Sequence, residues 1–184
     1  MAEAPVLEDT ERTTGRVALR KNIAAAMSLS GAVRSTLGPK GLDKLLLDDE
    51  GRTLVTNDGV TVLETARVEH PVARMLIDAS SAQDRAARDG TTSAVVIAAE
   101  LLRNAWHLVL QGVHPSTIVR GYRMAEIEAM THLESIAFEG NEDNLVTAVR
   151  SSLAGKASRG VQTRLADLAM EAARCVERTV DGTH

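Results

Sequence analysis

Three glycine-containing turns in the first half of the chain carry residue types from which an anion site can be built. They are Leu37-Gly38-Pro39-Lys40-Gly41, Thr56-Asn57-Asp58-Gly59 and Asp89-Gly90-Thr91-Thr92-Ser93. In the third, Gly90 lets the backbone approach an anion and Thr91, Thr92 and Ser93 add hydroxyl donors. The apolar helix that begins there aims unpaired N–H groups and its positive dipole end at the same point. Phosphate is the natural guest. Asp89, one residue earlier, is placed to hold Mg²⁺ bridging phosphate oxygens, because that cation takes one or two carboxylates plus phosphate and water. Asp58 could supply a second carboxylate near the metal or an attacking water. All of this chemistry requires the turns to converge in space.

The same residues have a plainer reading. Asp-Gly and Asn-Asp-Gly are common turn formers, and Thr-Thr-Ser before an apolar run is an ordinary helix start. No Walker-type loop exists, since Lys40 is followed by Gly41 rather than Ser or Thr; Lys40 and Lys44 read first as solvated. His70 and His114 precede prolines and serve their turns, whereas His107 and His132 read as surface residues of helices. Cys175, near the last apolar stripe, reads as a small apolar filler rather than a nucleophile. Glu64, Arg67, Glu69 and Arg74 read as a solvated face, and no catalytic triad or zinc spacing is present.

The turns sit between elements of changing period. Residues 1–11 read as an irregular arm, and Asp9 to Thr14 as a polar helix start. Leu19, Ile23, Ala26, Met27, Val33 and Leu37 recur at helical spacing and stop at the first turn. Lys44–Asp48 and Thr53–Thr56 read as a hairpin, which alone is marginal in water and needs another strand or chain beside it. Helical spacing resumes after His70-Pro71 with Val72, Met75, Leu76, Ala79, Ala82 and Ala86, and breaks at Arg88-Asp89-Gly90. The segment Ala94–Leu110 carries two apolar stripes, one on Ala94, Ala98, Leu101, Ala105 and Leu108 and one on Val95, Ala99, Leu102, Trp106 and Val109. It should be the buried centre of a bundle. After His114-Pro115 a further stripe runs through Ile118, Tyr122, Ala125, Ala129, Leu133 and Ile136. Glu139 to Asn144 is the best domain joint; a short helix through Leu145, Val149 and Leu153, a loop at 155–160, and a last amphipathic helix through Val161 to Val176 follow.

The 184 residues carry 21 basic against 25 acidic side chains, a net charge of -4, which argues against a nucleic-acid partner. No apolar run approaches the roughly 18–20 residues of a membrane helix, so no membrane role is expected, and the N-terminus lacks signal-peptide character. One cysteine fits a reducing, cytoplasmic setting. Only Trp106, Tyr122 and Phe138 are aromatic, so the core should be close-packed helices and the fold mainly α.

Ser35 to Lys44, Thr56 to Gly59, Asp89 to Val96, Gly112 to Pro115 and Gly121-Tyr122 occur in an order and at spacings that closely resemble the group II chaperonins, the archaeal thermosome and the eukaryotic TCP-1 ring complex. The resemblance covers about Arg16 to the end, with the thermosome branch nearest. It implies an equatorial-domain-like helical bundle with a small β-hairpin, followed by the start of an intermediate domain. Residues 1–140 would form the N-terminal half of the nucleotide-binding equatorial domain and 141–184 the start of the intermediate domain. It further implies an ATP-dependent folding subunit that binds ATP or ADP with Mg²⁺ and works in a double ring with other chaperonin subunits on unfolded client proteins. Leu37, Gly38, Gly90, Thr91, Thr92 and Ser93 would contact nucleotide, Asp89 would bind Mg²⁺, and Asp58 would lie near the γ-phosphate. The hairpin would complete a sheet with a neighbouring subunit.

Two departures from that family stand out. Arg88 replaces the usual glycine before the metal aspartate, where it could pair with phosphate or crowd the turn. The sequence also stops inside the intermediate domain, so the apical domain, the returning equatorial half and the family's second catalytic aspartate are expected to be absent. The family is an ATPase, and hydrolysis by this chain alone is therefore not expected. The alternative is a non-hydrolysing interaction or assembly paralogue that pairs with full-length subunits through the hairpin; a bundle with no nucleotide role is disfavoured by the intact phosphate turn.

Overall fold

The computed structural model describes residues 12–47, 50–66, 68–154 and 158–177. The expected arm at 1–11, the hairpin tip at 48–49, Arg67 and much of the 155–160 loop lie outside those residues. Among the described residues the fold is mainly helical with one two-stranded sheet, as expected.

Helix α1 (Gly15–Arg34) turns Ala26, Leu29, Ser30 and Val33 to the core. It ends before Leu37, which is exposed, because the chain breaks out of helix into a tied turn. There the Thr36 hydroxyl donates to the Val33 carbonyl at 2.8 Å, and the Leu42 amide reaches back to the Ser35 carbonyl at 2.7 Å. Gly41 is obligatory, since a Cβ there would lie 2.1 Å from the Thr36 carbonyl oxygen. Strands β1 (Lys44–Leu47) and β2 (Thr53–Thr56) pair antiparallel, Lys44 opposite Thr56 and Leu47 opposite Thr53. Leu46 packs against the core, while Leu45, Leu47 and Val55 stay in solvent.

A short helix, α2 (Gly59–Thr65), follows at once and was not legible from periodicity. Its signal is a cap: the Asp58 carboxylate accepts from both the Thr61 amide, at 2.9 Å, and the Thr61 hydroxyl, at 2.6 Å. Val62 and Leu63 then enter the core.

Helix α3 (Pro71–Ala87) starts on His70, whose Nδ1 accepts the Val72 amide at 3.2 Å. Its buried face is Ala73, Leu76 and Ser80; of the expected stripe only Leu76 is buried, and Met75, Ala79, Ala82 and Ala86 are exposed. The face is rotated to the side that packs against α4 and α1, and it includes a polar contact, the Ser80 hydroxyl donating to the Thr91 carbonyl at 3.3 Å. Helix α4 (Thr91–Leu110) lies against α1, α2 and α3, with Val95 and Ala99 fully buried. The expectation of a wholly buried central helix is not met: Thr91, Thr92, Val95 and Ala99 are buried, whereas Ile97, Leu101, Leu108 and Leu110 are exposed, because α1, α2 and α3 cover one face of it. By length and composition α4 is also apolar enough to cross a membrane, which corrects the expectation that no segment approaches that measure. Here its core face packs in the bundle, and Glu100 in mid-helix pairs with Arg34 of α1.

Helix α5 (Pro115–Ile136) repeats the His-Pro start, with His114 Nδ1 accepting the Ser116 amide at 3.2 Å. Only Ile118 of its stripe is buried, and Ala125, Ala129, Leu133 and Ile136 face solvent. Helices α6 (Glu142–Ser152) and α7 (Arg159–Val176) pack on each other, joined by the Arg174–Glu142 ion pair. Ala166 is buried there, whereas Cys175 is exposed and so is not the apolar filler its position suggested. His107 and His132 are exposed, as read. The core gathers Ala26, Leu29, Val33, Val62, Leu63, Ala73, Leu76 and Val95 from the first four helices.

Candidate nucleotide site

The first and third turns converge on one open cavity of about 500 Å³. Thr36, Leu37, Gly38, Pro39 and Gly41 form one wall, and Asp89, Gly90, Thr91, Thr92 and Ser93 another. Asn57 lines it from the second turn, and Ala148, Ser151, Ser152 and Ala154 close it from the end of α6.

The third turn owes its shape to its neighbours. Arg88 (φ 56°) and Gly90 (φ 76°) both adopt the left-handed conformation, reversing the chain between α3 and α4. Gly90 starts α4 without a side-chain cap, so the first-turn amides of Thr91, Thr92 and Ser93 receive no capping acceptor. Thr91 and Thr92 are buried and Ser93 is half-buried, which fixes the start of the helix. Asp89 is exposed at the cavity; its Oδ1 accepts the Gly90 amide at 2.7 Å, and Oδ2 has no donor among the described residues. The Gln83 side chain donates Nε2–H to the Asp89 carbonyl at 3.0 Å.

Arg88 does not line the cavity. Its guanidinium donates to the Asp84 carboxylate at 3.0 Å, one helical turn back, and is four-fifths exposed. The second turn is tied to the site through Gly59, where a Cβ would lie 2.0 Å from the Thr92 hydroxyl. That contact sets the start of α2 directly on the start of α4. Asp58 itself does not line the cavity, and the carboxylate is engaged in capping α2; its neighbour Asn57 is the lining residue.

Sequence reasoning did not single out Thr36 or Asn57 within their segments, and it missed Ser80, Gln83 and the α6 serines as parts of this region. Ser80 and Gln83 carried no signal, because small or amide side chains on a helix read as solvated polar positions until their carbonyl partners are known.

The arrangement suits an anion accompanied by one hard cation. Uncapped helix amides and hydroxyls meet at a glycine that lets a ligand approach, with one carboxylate beside them. Among the described residues no three His, Cys, Asp or Glu side chains gather into a metal cluster, so a cation here would need oxygens from its anion.

A sequence model of the TCP-1/cpn60 chaperonin family matches residues 29–183, and the chain belongs to that family. Thermosome subunits are among its relatives. The alpha subunit of Archaeoglobus fulgidus is 47% identical, covering 96% of this chain and 34% of that protein. The subunit of Pyrococcus horikoshii is 44% identical over 99% and 34%, and the beta subunit of Thermococcus kodakarensis 43% over 100% and 35%. The chain thus spans about a third of the length of these curated relatives.

Proposed function

We propose that this chain is the nucleotide-binding part of a chaperonin subunit, taking ATP or ADP with Mg²⁺ in the cavity between the first and third turns. The observation that carries the reading is the meeting of those turns at the uncapped start of α4, with Asp89 at the edge. Thr91, Thr92 and Ser93, with the Gly90 backbone, would hold phosphate oxygens. Asp89 would hold the cation, and Leu37 and Gly38 would flank the remainder of the nucleotide. Asp58 belongs to this proposal only as a neighbour of the γ-phosphate end, since one of its oxygens, Oδ2, accepts both the amide and the hydroxyl of Thr61. The bound cation would neutralise phosphate charge; this chain's own residues bind and orient. In the proposal residues 1–140 are an equatorial half and 141–184 the start of an intermediate domain. Coupled with other subunits in a cytoplasmic double ring, nucleotide turnover would drive the folding of unfolded client proteins.

Titration of the chain with ADP and Mg²⁺ tests this. Binding is expected, weakened about ten- to a hundredfold or more by Asp89→Ala, at least the loss seen when a partner of a metal ligand is removed. No binding up to about 1 mM, the weakest specific range worth the name, would sink the reading.

A second reading, an assembly paralogue that does not hydrolyse ATP, is favoured by the hairpin. Leu45, Leu47 and Val55 are exposed on a two-strand sheet with no third strand among the described residues. Native mass of the chain mixed with a full-length thermosome subunit separates the two: incorporation without turnover supports the second.

A further inference from the structure

We infer that Gln83 is a positioning residue for Asp89, an inference that rests on reading the cavity as a site for a nucleoside phosphate and its cation. The reversal between α3 and α4 contains two left-handed residues, Arg88 and Gly90, separated only by Asp89. Backbone bonds secure its two ends, from the Arg88 amide to the Asp84 carbonyl and from the Ala94 amide to the Gly90 carbonyl, both at 2.9 Å. The peptide unit between them, which joins Asp89 to Gly90, is held only through side chains. Its carbonyl accepts from Gln83 Nε2 at 3.0 Å, and its N–H donates to Asp89 Oδ1 at 2.7 Å. These two bonds lie on opposite edges of one rigid plane. Fixing the carbonyl fixes the direction of the N–H, and the N–H holds the carboxylate.

Gln83 is itself constrained. It is half-buried, and its amide lies beneath Gly90, where a Cβ would come within 3.4 Å of Nε2. One turn earlier on the same face, Ser80 donates to the Thr91 carbonyl. The last turns of α3 therefore grip the carbonyls on both sides of Gly90, and Gln83 grips the one whose peptide sets the metal-facing carboxylate. An amide that orients a ligand in this way acts as an outer-shell partner, and removing such partners costs about 10–100-fold in metal affinity.

The test uses the 184-residue chain and two variants, Gln83→Met, which keeps the length and removes the donor, and Gln83→Glu, which keeps the shape and replaces the donor with an acceptor. ADP affinity is measured with Mg²⁺ and with the metal chelated, alongside the thermal midpoint. Expected is a loss of about 10–100-fold in the Mg²⁺-dependent part of the affinity, with metal-free ADP binding and the midpoint nearly unchanged. Equal losses with and without Mg²⁺ would mean a structural role and overturn the inference. Unchanged Mg²⁺ dependence in both variants would overturn it while leaving the nucleotide reading intact. A parent chain that binds no ADP overturns both. Should Gln83→Met fail to fold, Gln83→Glu alone decides by the same comparison.

Discussion

Arg88 occupies the position at which a helix most often ends on glycine, and its left-handed backbone carries the usual cost of a side chain there, about 1 kcal/mol. Part of that is returned by the exposed pair with Asp84, which is worth roughly 0.3–0.5 kcal/mol. Arg88→Gly is therefore expected to stabilise the chain by about 0.5–0.7 kcal/mol in urea unfolding, with ADP affinity unchanged because the guanidinium is turned back along α3. A loss of nucleotide binding in that variant would show that the arginine reaches the ligand after all. The identity of Arg88 as a departure was legible in the sequence, but its partner was not. An arginine can reach many acceptors from one Cα, and only the helical register places Asp84 one turn behind it. Asp58 teaches the same lesson: the sequence offers its carboxylate as a neighbour of the phosphates, and only the fold shows that Thr61, three residues on, also makes it a cap.

The C-terminal end of α1 is joined to the middle of α4 by Glu100, which accepts from Arg34 across the interface and from Arg103 along its own helix. The hydrogen bond from Arg34 is the largest influence holding the Glu100 carboxyl below its ordinary range; the charges of Arg103 and Arg34 act in the same direction, and partial desolvation opposes them. A carboxylate whose folded value is lowered contributes stability that is present above its unfolded value and lost as pH falls through the folded one. Acid unfolding followed below about pH 4.3, the ordinary glutamate value, should therefore be shallower in Glu100→Gln than in the parent. Identical pH profiles would leave the pair without energetic weight. At this scale α1, the hairpin, α4 and α5 were readable, since long apolar periods and His-Pro starts are local signals. Helix α2 was not, because seven residues are too few to show a period, and the buried face of α3 was misread because Ser80 hides a polar contact inside it.

Across the whole molecule stability is unevenly distributed. The core is assembled from α1 to α4, whereas α6 and α7 rest chiefly on each other and on the Arg174–Glu142 pair. Amide exchange should accordingly be fastest in α6 and α7 and slowest around Val33, Leu63 and Val95, with Mg-ADP slowing the end of α6, whose Ser151 and Ser152 line the cavity. Uniform protection across all helices would contradict this division. The break between α5 and α6 was legible from the polar run at 139–144, but the return of α6 to the cavity was not, since nothing local in Ser151 or Ser152 points to a wall some sixty residues away in sequence.

The contact of Gly59 with Thr92 has a mechanical consequence. Only Asn57 and Asp58 separate strand β2 from Gly59, and Asp58 locks that short link to α2 through Thr61. A strand added along the hairpin by another subunit would thus load a stiff linkage of two residues ending on Thr92. Occupancy at the sheet edge and the set of the helix start that lines the cavity would become one lever, with glycine as its fulcrum.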